Sequence, residues 1–184
     1  STIKKRKSLL NENTFKFLNK SQSLSGVGWN DNRSNTTKLW RYNQHYFDDL
    51  NAVDSYKRKV WHDKLLENWI SENSIGKGIG WDPYPTSIRI VNLVKWHLQG
   101  NKLSETSLQS LALQANWLNK RIEWHILGNH LFSNAKALIF AGLFFLLISS
   151  IFLGFAFREG IEFYKVPSQI LQSPPKASVK LRMG

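Results

Sequence analysis

The most informative part of this chain is the stretch RIEWHILGNHLFSNAKALIFAGLFF, residues 121–145. Its apolar residues recur at helical spacing, and the step Gly128-Asn129-His130 interrupts that pattern before it starts again. Glycine is common just past a helix end, and asparagine is common where a helix begins. The first N–H groups of a helix have no partner within it and favour anions. The sequence therefore predicts two helices, with Asn129 and His130 at the start of the second.

The segments before this stretch also have helical patterns. Residues 59–73 place apolar side chains at steps of three and four, and a second such run follows Thr86, which we expect to cap it, and ends before Gly100. Ser104 is expected to cap a further helix that continues to Ile126. No convincing strand pattern separates these runs. The sequence therefore predicts an all-α fold built of antiparallel helical hairpins.

The polarity of the chain changes along its length and predicts four regions. In order these are an irregular basic arm over residues 1–38, a helical region over residues 39–145, an apolar continuation over residues 146–157 and a basic, disordered tail over residues 158–184.

The apolar run from Ala137 to Phe157 carries no charge and is bracketed by Lys136 and Arg158. At the rise of an α-helix it spans roughly 30 Å, the thickness of the hydrocarbon core of a bilayer. It is therefore a candidate transmembrane helix. The alternative is a buried core helix, which rarely stays uncharged over such a length.

Composition indicates an anionic partner and gives no sign of a metal or cofactor. The 184 residues carry a net charge of +12, which suits nucleic acid, acidic polysaccharide or acidic lipid. The absence of cysteine excludes disulfides and thiolate metal sites. His125 and His130 are five positions apart without a metalloprotease motif, so we expect no metal. The basic start STIKKRKSLL lacks the apolar segment of a signal peptide.

Two further segments mix aromatic and polar residues. LWRYNQHYFDDL, residues 39–50, includes Tyr42 and His45, and its composition suits either a surface that stacks flat rings or an aromatic helix packed on the core. Tyr84 and Arg89 lie near the start of the helix expected after Thr86, where they could face a cleft. We predict all four as substrate-binding residues.

Five segments, in this order, resemble the N-terminal helical domain of heparinase II/III-like polysaccharide lyases, a group that includes relatives of alginate lyases. The resemblance implies an incomplete (α/α) toroid, followed in full-length members by further helices and a β-sandwich. The segments are FKFLNKSQSLSG (15–26), GWND (28–31), LWRYNQHYFDDL (39–50), GWDPYPTSIRIVNLVKW (80–96) and LQANWLNKRIEWHILGNHLFSNAKALIFAGLFF (113–145).

The resemblance also implies a chemistry. Lyases of this group cleave uronate polymers by β-elimination, in which the C5 carboxylate is neutralised, a base removes the C5 proton and an acid protonates the leaving oxygen. Asn129 matches the family asparagine that engages the carboxylate, and His130 matches a histidine that acts as base or substrate ligand. Without the resemblance, His130 reads as a capping or core histidine.

The likeness to the family stops after Phe145. The family continues with charged helices and a catalytic tyrosine, whereas the context of Tyr164, EFYKVP, does not match that motif. We therefore expect a truncated lyase domain that is weakly active or inactive. Its expected partner is an acidic polysaccharide and not nucleic acid, and its expected location is the bacterial cell envelope, in the periplasm or at the membrane.

Two other hypotheses remain open at this point. The chain could be a non-catalytic, membrane-anchored protein that binds glycan or a protein partner, with residues 137–157 as its anchor. It could also be a basic nucleic-acid-binding module, whose binding would weaken steeply with salt.

Overall fold

The computed structural model of the chain describes residues 5–30, 36–126 and 128–158, and these residues are mostly helical. Three short 3-10 helices, at Asp48–Asn51, Ser55–Arg58 and Ile79–Trp81, connect the longer elements. The strands are β1 (Leu9–Asn11), β2 (Thr14–Phe17) and β3 (Lys20–Ser23), and the helices are α1 (Leu24–Val27), α2 (Lys38–Tyr46), α3 (Lys59–Glu72), α4 (Pro83–Leu98), α5 (Glu105–Asn119) and α6 (Asn129–Arg158).

The structure confirms that the chain is mostly helical, but not that it is all-α. Its first part forms a small antiparallel sheet in the order β1-β2-β3. The region predicted as an irregular arm, residues 1–38, thus contains three strands and the short helix α1. Leu18 and Asn19, both with positive φ, form a tight turn between β2 and β3, where Phe17 pairs with Lys20. These strands are only three or four residues long, and few of their side chains, among them Phe15, face the core. They therefore lack the alternation of apolar and polar residues by which a strand is recognised in a sequence.

Helix α3 confirms the helix predicted over residues 59–73, but α4 begins earlier than predicted. Its first residue is Pro83, so Thr86 lies inside the first turn and is not the cap. Proline fits this position because the first N–H groups of a helix have no partner within it, and its φ already suits the helix. The Thr86 hydroxyl instead donates to the carbonyl of Gly80 at 3.3 Å. Gly100, with φ of +93°, follows the end of α4 as predicted.

Helix α5 begins as predicted and ends earlier. The N–H of Ser107 donates to Oγ of Ser104 at 3.2 Å, which confirms the cap. The helix ends at Asn119 and does not reach Ile126, because later backbone groups find partners elsewhere, as the N–H of Glu123 does on α6. Gly128, with φ of +83°, then precedes α6, which begins at Asn129 as predicted.

Helix α4 lies at the centre of the helical region, and most of its side chains are buried. Helix α5 packs against it in the antiparallel direction, so that Trp81 lies near Trp117. Helix α6 runs parallel to α4, since Asn134 bonds to Ser87 and Phe144 contacts His97. This parallel pair brings the first turns of α4 and α6 to the same end of the molecule.

The carboxylate of Asp49 joins the sheet to the helices. It accepts hydrogen bonds from the N–H groups of Ser8 and Leu9 at 2.7 and 3.0 Å, and from Arg58 and His62 at 2.7 and 2.8 Å. Burial alone raises the pKa of Asp49, but the bonds from His62, Arg58 and the two amides together hold it well below its usual range. The ionised carboxylate therefore fixes the first strand on the helical region.

The chain divides into two compact units, Ser1–Leu147 and Ile148–Gly184. Helix α6 is the one described helix that is long and apolar enough, over Asn129–Ser150, to cross a membrane; core helices of soluble proteins meet the same criterion. The tail predicted beyond Arg158, with Tyr164, lies outside the described residues.

Candidate functional site

The rings of Tyr84 and His130 stack where the first turns of α4 and α6 lie side by side. Their centroids are 4.4 Å apart and their planes are inclined by 26°. Both side chains are partly exposed, so one edge of the stack is open to solvent. The structure thus places two of the six residues that the sequence predicts for the site in direct contact with each other.

Glu123 holds the ring of His130 in one orientation. Its Oε1 lies 3.1 Å from Nδ1 of His130. A carboxylate can only accept, so Nδ1 carries the proton and the lone pair of the neutral ring is on Nε2. The Glu123 side chain is only 12% exposed, whereas that of His130 is 35% exposed. A carboxylate that orients a histidine in this way prepares the other ring nitrogen to accept a proton.

Asn134, one turn further along α6, positions Glu123 in turn. Its Nδ2 donates to Oε2 of Glu123 at 3.3 Å and to Oγ of Ser87 at 2.9 Å. Its Oδ1 accepts the N–H of Glu123 at 2.9 Å. Asn134 is fully buried, and its three bonds tie the loop after α5 to both α4 and α6.

Two further tyrosines extend this group. The ring of Tyr46 meets that of Tyr84 edge-on, with centroids 6.0 Å apart, and the hydroxyl of Tyr42 donates to Asp82. Burial raises the pKa of both Tyr42 and Tyr46, and the bond to Asp82 adds to the effect at Tyr42. Both hydroxyls therefore stay protonated near neutral pH. We call Tyr42, Tyr46, Tyr84 and His130 the tyrosine–histidine cluster.

Arg89 lies in the core and not at a cleft, so the prediction that it binds substrate does not hold for this structure. Its Nε donates to Oε1 of Gln114 at 2.7 Å, and Nη1 donates to the carbonyls of Gly80 and His45 at 2.9 and 3.1 Å. The guanidinium also lies 4.0 Å from the ring centroid of Trp69. Burial lowers the pKa of Arg89 to about 9, so the guanidinium is still charged at neutral pH. Its carbonyl and amide partners stabilise that buried charge.

His45 is equally inaccessible, and the same correction applies to it. Its Nε2 donates to the carbonyl of Trp29 at 3.0 Å, and Nδ1 accepts from the indole of Trp69 at 3.0 Å. Burial, followed by the charge of Arg89, lowers the pKa of His45 to about 3, so the ring is neutral. A Cβ on Gly80 would lie 2.4 Å from Nδ1, so only glycine permits this packing. Both residues organise the core beneath the cluster.

Asn129 is exposed at the first position of α6, next to His130, and its role in binding a carboxylate stays a prediction. Sequence reasoning missed Glu123, Asn134 and Tyr46. Glu123 and Asn134 lie within the 121–145 stretch that it singled out, but neither has a sequence signal that separates it from an ordinary helix residue. Among the described residues, no group of three or more histidine, aspartate or glutamate side chains could hold a metal ion.

Comparisons with known proteins give no further assignment. No protein-family model, no curated protein and no solved structure matches this chain.

Proposed function

We propose that the tyrosine–histidine cluster binds an acidic, uronate-containing polysaccharide and that His130 is the base of a β-elimination reaction. The observation that carries the proposal is the contact between Glu123 and Nδ1 of His130, which leaves Nε2 as the proton acceptor. The proposal also rests on the five segments that resemble heparinase II/III-like lyases, and on the finer architecture that they imply, an incomplete (α/α) toroid. The mostly helical fold is compatible with that architecture.

In this proposal, each step of the reaction needs a group of defined chemistry. Asn129, beside His130, donates its amide N–H to the C5 carboxylate of the uronate, which stabilises the carbanion-like state without adding a charge. His130 removes the C5 proton through Nε2, and the Glu123 carboxylate stabilises the imidazolium that forms. We assign no residue to protonation of the leaving oxygen.

The tyrosines supply the surface on which a sugar lies. Sugar rings present C–H groups on their faces and pack on aromatic rings, and the partly exposed Tyr84 offers such a ring beside His130. The hydroxyls of Tyr42 and Tyr46 stay protonated and so do not repel an anion, although that of Tyr42 already donates to Asp82. The net charge of +12 raises the local concentration of a polyanion around the whole molecule.

The first test measures binding, because it does not depend on the unassigned acid. Affinity for a uronate polymer such as alginate, and for a neutral glucan of similar length, is measured by titration calorimetry for the wild type and for His130→Ala and Tyr84→Ala. We expect preference for the uronate and about tenfold loss in either variant. Tyr56→Ala, which removes an exposed tyrosine from the 3-10 helix Ser55–Arg58, is the matched control.

The second test follows the ultraviolet absorbance of the 4,5-unsaturated product. His130→Ala must abolish any turnover above background, because the variant lacks the base. Equal binding of both polymers, or unchanged binding in both cluster variants, would refute the proposal.

A membrane-attached role is a second candidate, favoured by one observation on α6. Ile139, Leu143 and Leu146 are each 60–65% exposed, although the opposite side of the same helix is buried at Ala137 and Phe144. Burying such a row in lipid is favourable by about 25 cal/mol per Å² of apolar surface. Flotation with anionic liposomes tests this role: the wild type should float, and a variant with Ile139, Leu143 and Leu146 changed to glutamine should not.

A further inference from the structure

A small pocket lies in the groove between the parallel helices α4 and α6, further along the groove than the Tyr84–His130 stack. Its volume is about 140 Å³, and Ile88 and Val91 form its apolar floor. The polar side chains around it are Lys5, Asp48, Ser87, Asn92, Lys95, Ser133 and Lys136. We call it the lysine pocket.

The charges around the lysine pocket do not cancel. Lys5 pairs with Asp48 at 2.6 Å, and the other oxygen of Asp48 accepts from Asn92 at 2.8 Å. Lys95 and Lys136 are exposed, and neither has an ion-pair partner among the residues that the structure describes. The pocket thus has two uncompensated cations around a cavity large enough for a small oxyanion.

The position of the lysine pocket relates it to the tyrosine–histidine cluster. Along α4, Lys95 follows Tyr84 by roughly 16 Å at helical rise, and along α6, Lys136 follows His130 by roughly 9 Å. Because the two helices are parallel, both distances run in the same direction along one groove. A polymer that enters at the cluster and follows the groove would therefore bring a later sugar of the same chain to the pocket.

We propose that the lysine pocket binds a carboxylate of the same acidic polysaccharide, on a sugar further along the polymer than the one at His130. This inference rests on the proposed function and adds the group that recognises charge. Lys95 and Lys136 supply the positive charge, and the hydroxyl of Ser133 can donate a hydrogen bond to the carboxylate. The apolar floor of Ile88 and Val91 carries the face of the sugar.

The test compares two forms of one polymer, a uronate polymer and the same polymer with its carboxylates methyl-esterified. Affinities are measured by titration calorimetry for the wild type, for Lys95→Gln and Lys136→Gln, and for the double variant. We expect about threefold weaker binding of the free acid for each single change and about tenfold for the double variant. Binding of the ester should not change. Lys120→Gln, which removes the same charge from an exposed position at the end of α5, should bind both forms as the wild type does.

Two results would overturn the proposal for the lysine pocket. One is that the double variant binds the free acid as tightly as the wild type does, and the other is that its affinity for the ester falls as much as its affinity for the free acid. Melting temperatures of the variants show whether any loss comes from unfolding. The cluster variants His130→Ala and Tyr84→Ala separate this inference from the proposed function. If they bind normally while the double lysine variant does not, the proposed function fails and the pocket stands as an anion site.

Discussion

Oε1 of Glu123 lies 3.1 Å from Nδ1 of His130, and this contact determines which ring nitrogen can take a proton. The glutamate comes from the loop after α5 and the histidine from the first turn of α6. The loop and the helix are held together by Asn134, which bonds to the backbone and the carboxylate of Glu123 at once. Three residues of one sequence stretch thus form a unit that fixes the orientation of the His130 ring.

Removing the Glu123 carboxylate should allow the His130 ring to adopt either tautomer. In Glu123→Ala, Nδ1 loses its acceptor, and we expect the Nε2–H tautomer to become populated, as it is in free imidazole. Long-range proton–nitrogen NMR correlations distinguish the two forms directly. Glu72→Ala, an exposed glutamate at the end of α3, should leave the His130 signals where they are. Unchanged His130 signals in Glu123→Ala would show that the contact does not control the tautomer.

Asn134 should contribute strongly to the stability of the fold, because it bonds to three groups at once. Asn134→Ala leaves Oε2 and the N–H of Glu123 and the Oγ of Ser87 without this partner, and we expect a loss of about 2–3 kcal/mol in unfolding free energy. Urea denaturation measures it. Asn119→Ala, at an exposed position in α5, should cost less than about 0.5 kcal/mol. Equal effects of the two changes would contradict the bridging role.

Arg89 should not tolerate even lysine. A lysine ammonium cannot reach Gln114, Gly80 and His45 at once, nor stack on an indole as a planar guanidinium does, so we expect Arg89→Lys to lower the unfolding free energy by about 3 kcal/mol. Arg121→Lys is the matched control, because Arg121 also lies over an indole but is exposed. If Arg89→Lys lost glycan binding without losing stability, Arg89 would belong to the site after all.

His45 should make the protein less stable as the pH falls. Its pKa is about 3 in the folded chain and about 6.5 when unfolded, so between these values only the unfolded chain binds the proton. The unfolding free energy therefore decreases as the pH is lowered from about 6.5 toward 3, by up to about 1.4 kcal/mol per pH unit.

Urea denaturation between about pH 6.5 and 4.5 measures this slope, since most unfolded carboxylates are still ionised there. His45→Asn should be less stable at all pH values. Its unfolding free energy should depend less on pH than that of the wild type, because one titrating group is missing. His125→Asn, at an exposed position, should keep the wild-type slope. An identical slope in His45→Asn and the wild type would exclude His45 as the titrating group.

The helix starts were accessible from the sequence because local chemistry sets them. Ser104 caps α5 through its own side chain, and Gly128 has the positive φ that precedes the start of α6 at Asn129. The start of α4 was misplaced because Pro83 and Thr86 are both good residues for a first turn, and spacing alone does not choose between them. The three strands were missed because they are stabilised by hydrogen bonds between strands, and no local sequence pattern indicates which residues pair.

Residue types and short-range spacing were enough to predict the mostly helical fold, the positive charge and the place of His130 at a helix start. Tertiary structure alone decided which polar residues face solvent. Arg89 and His45 have the same chemistry as many site residues, but α2, α3 and α4 enclose them, and their partners are carbonyls and an indole of the core. Tyr84 meets His130 because α6 lies parallel to α4, and the direction in which two helices pack depends on contacts far apart in the chain. Glu123 meets His130 because the loop before α6 folds back on its first turn.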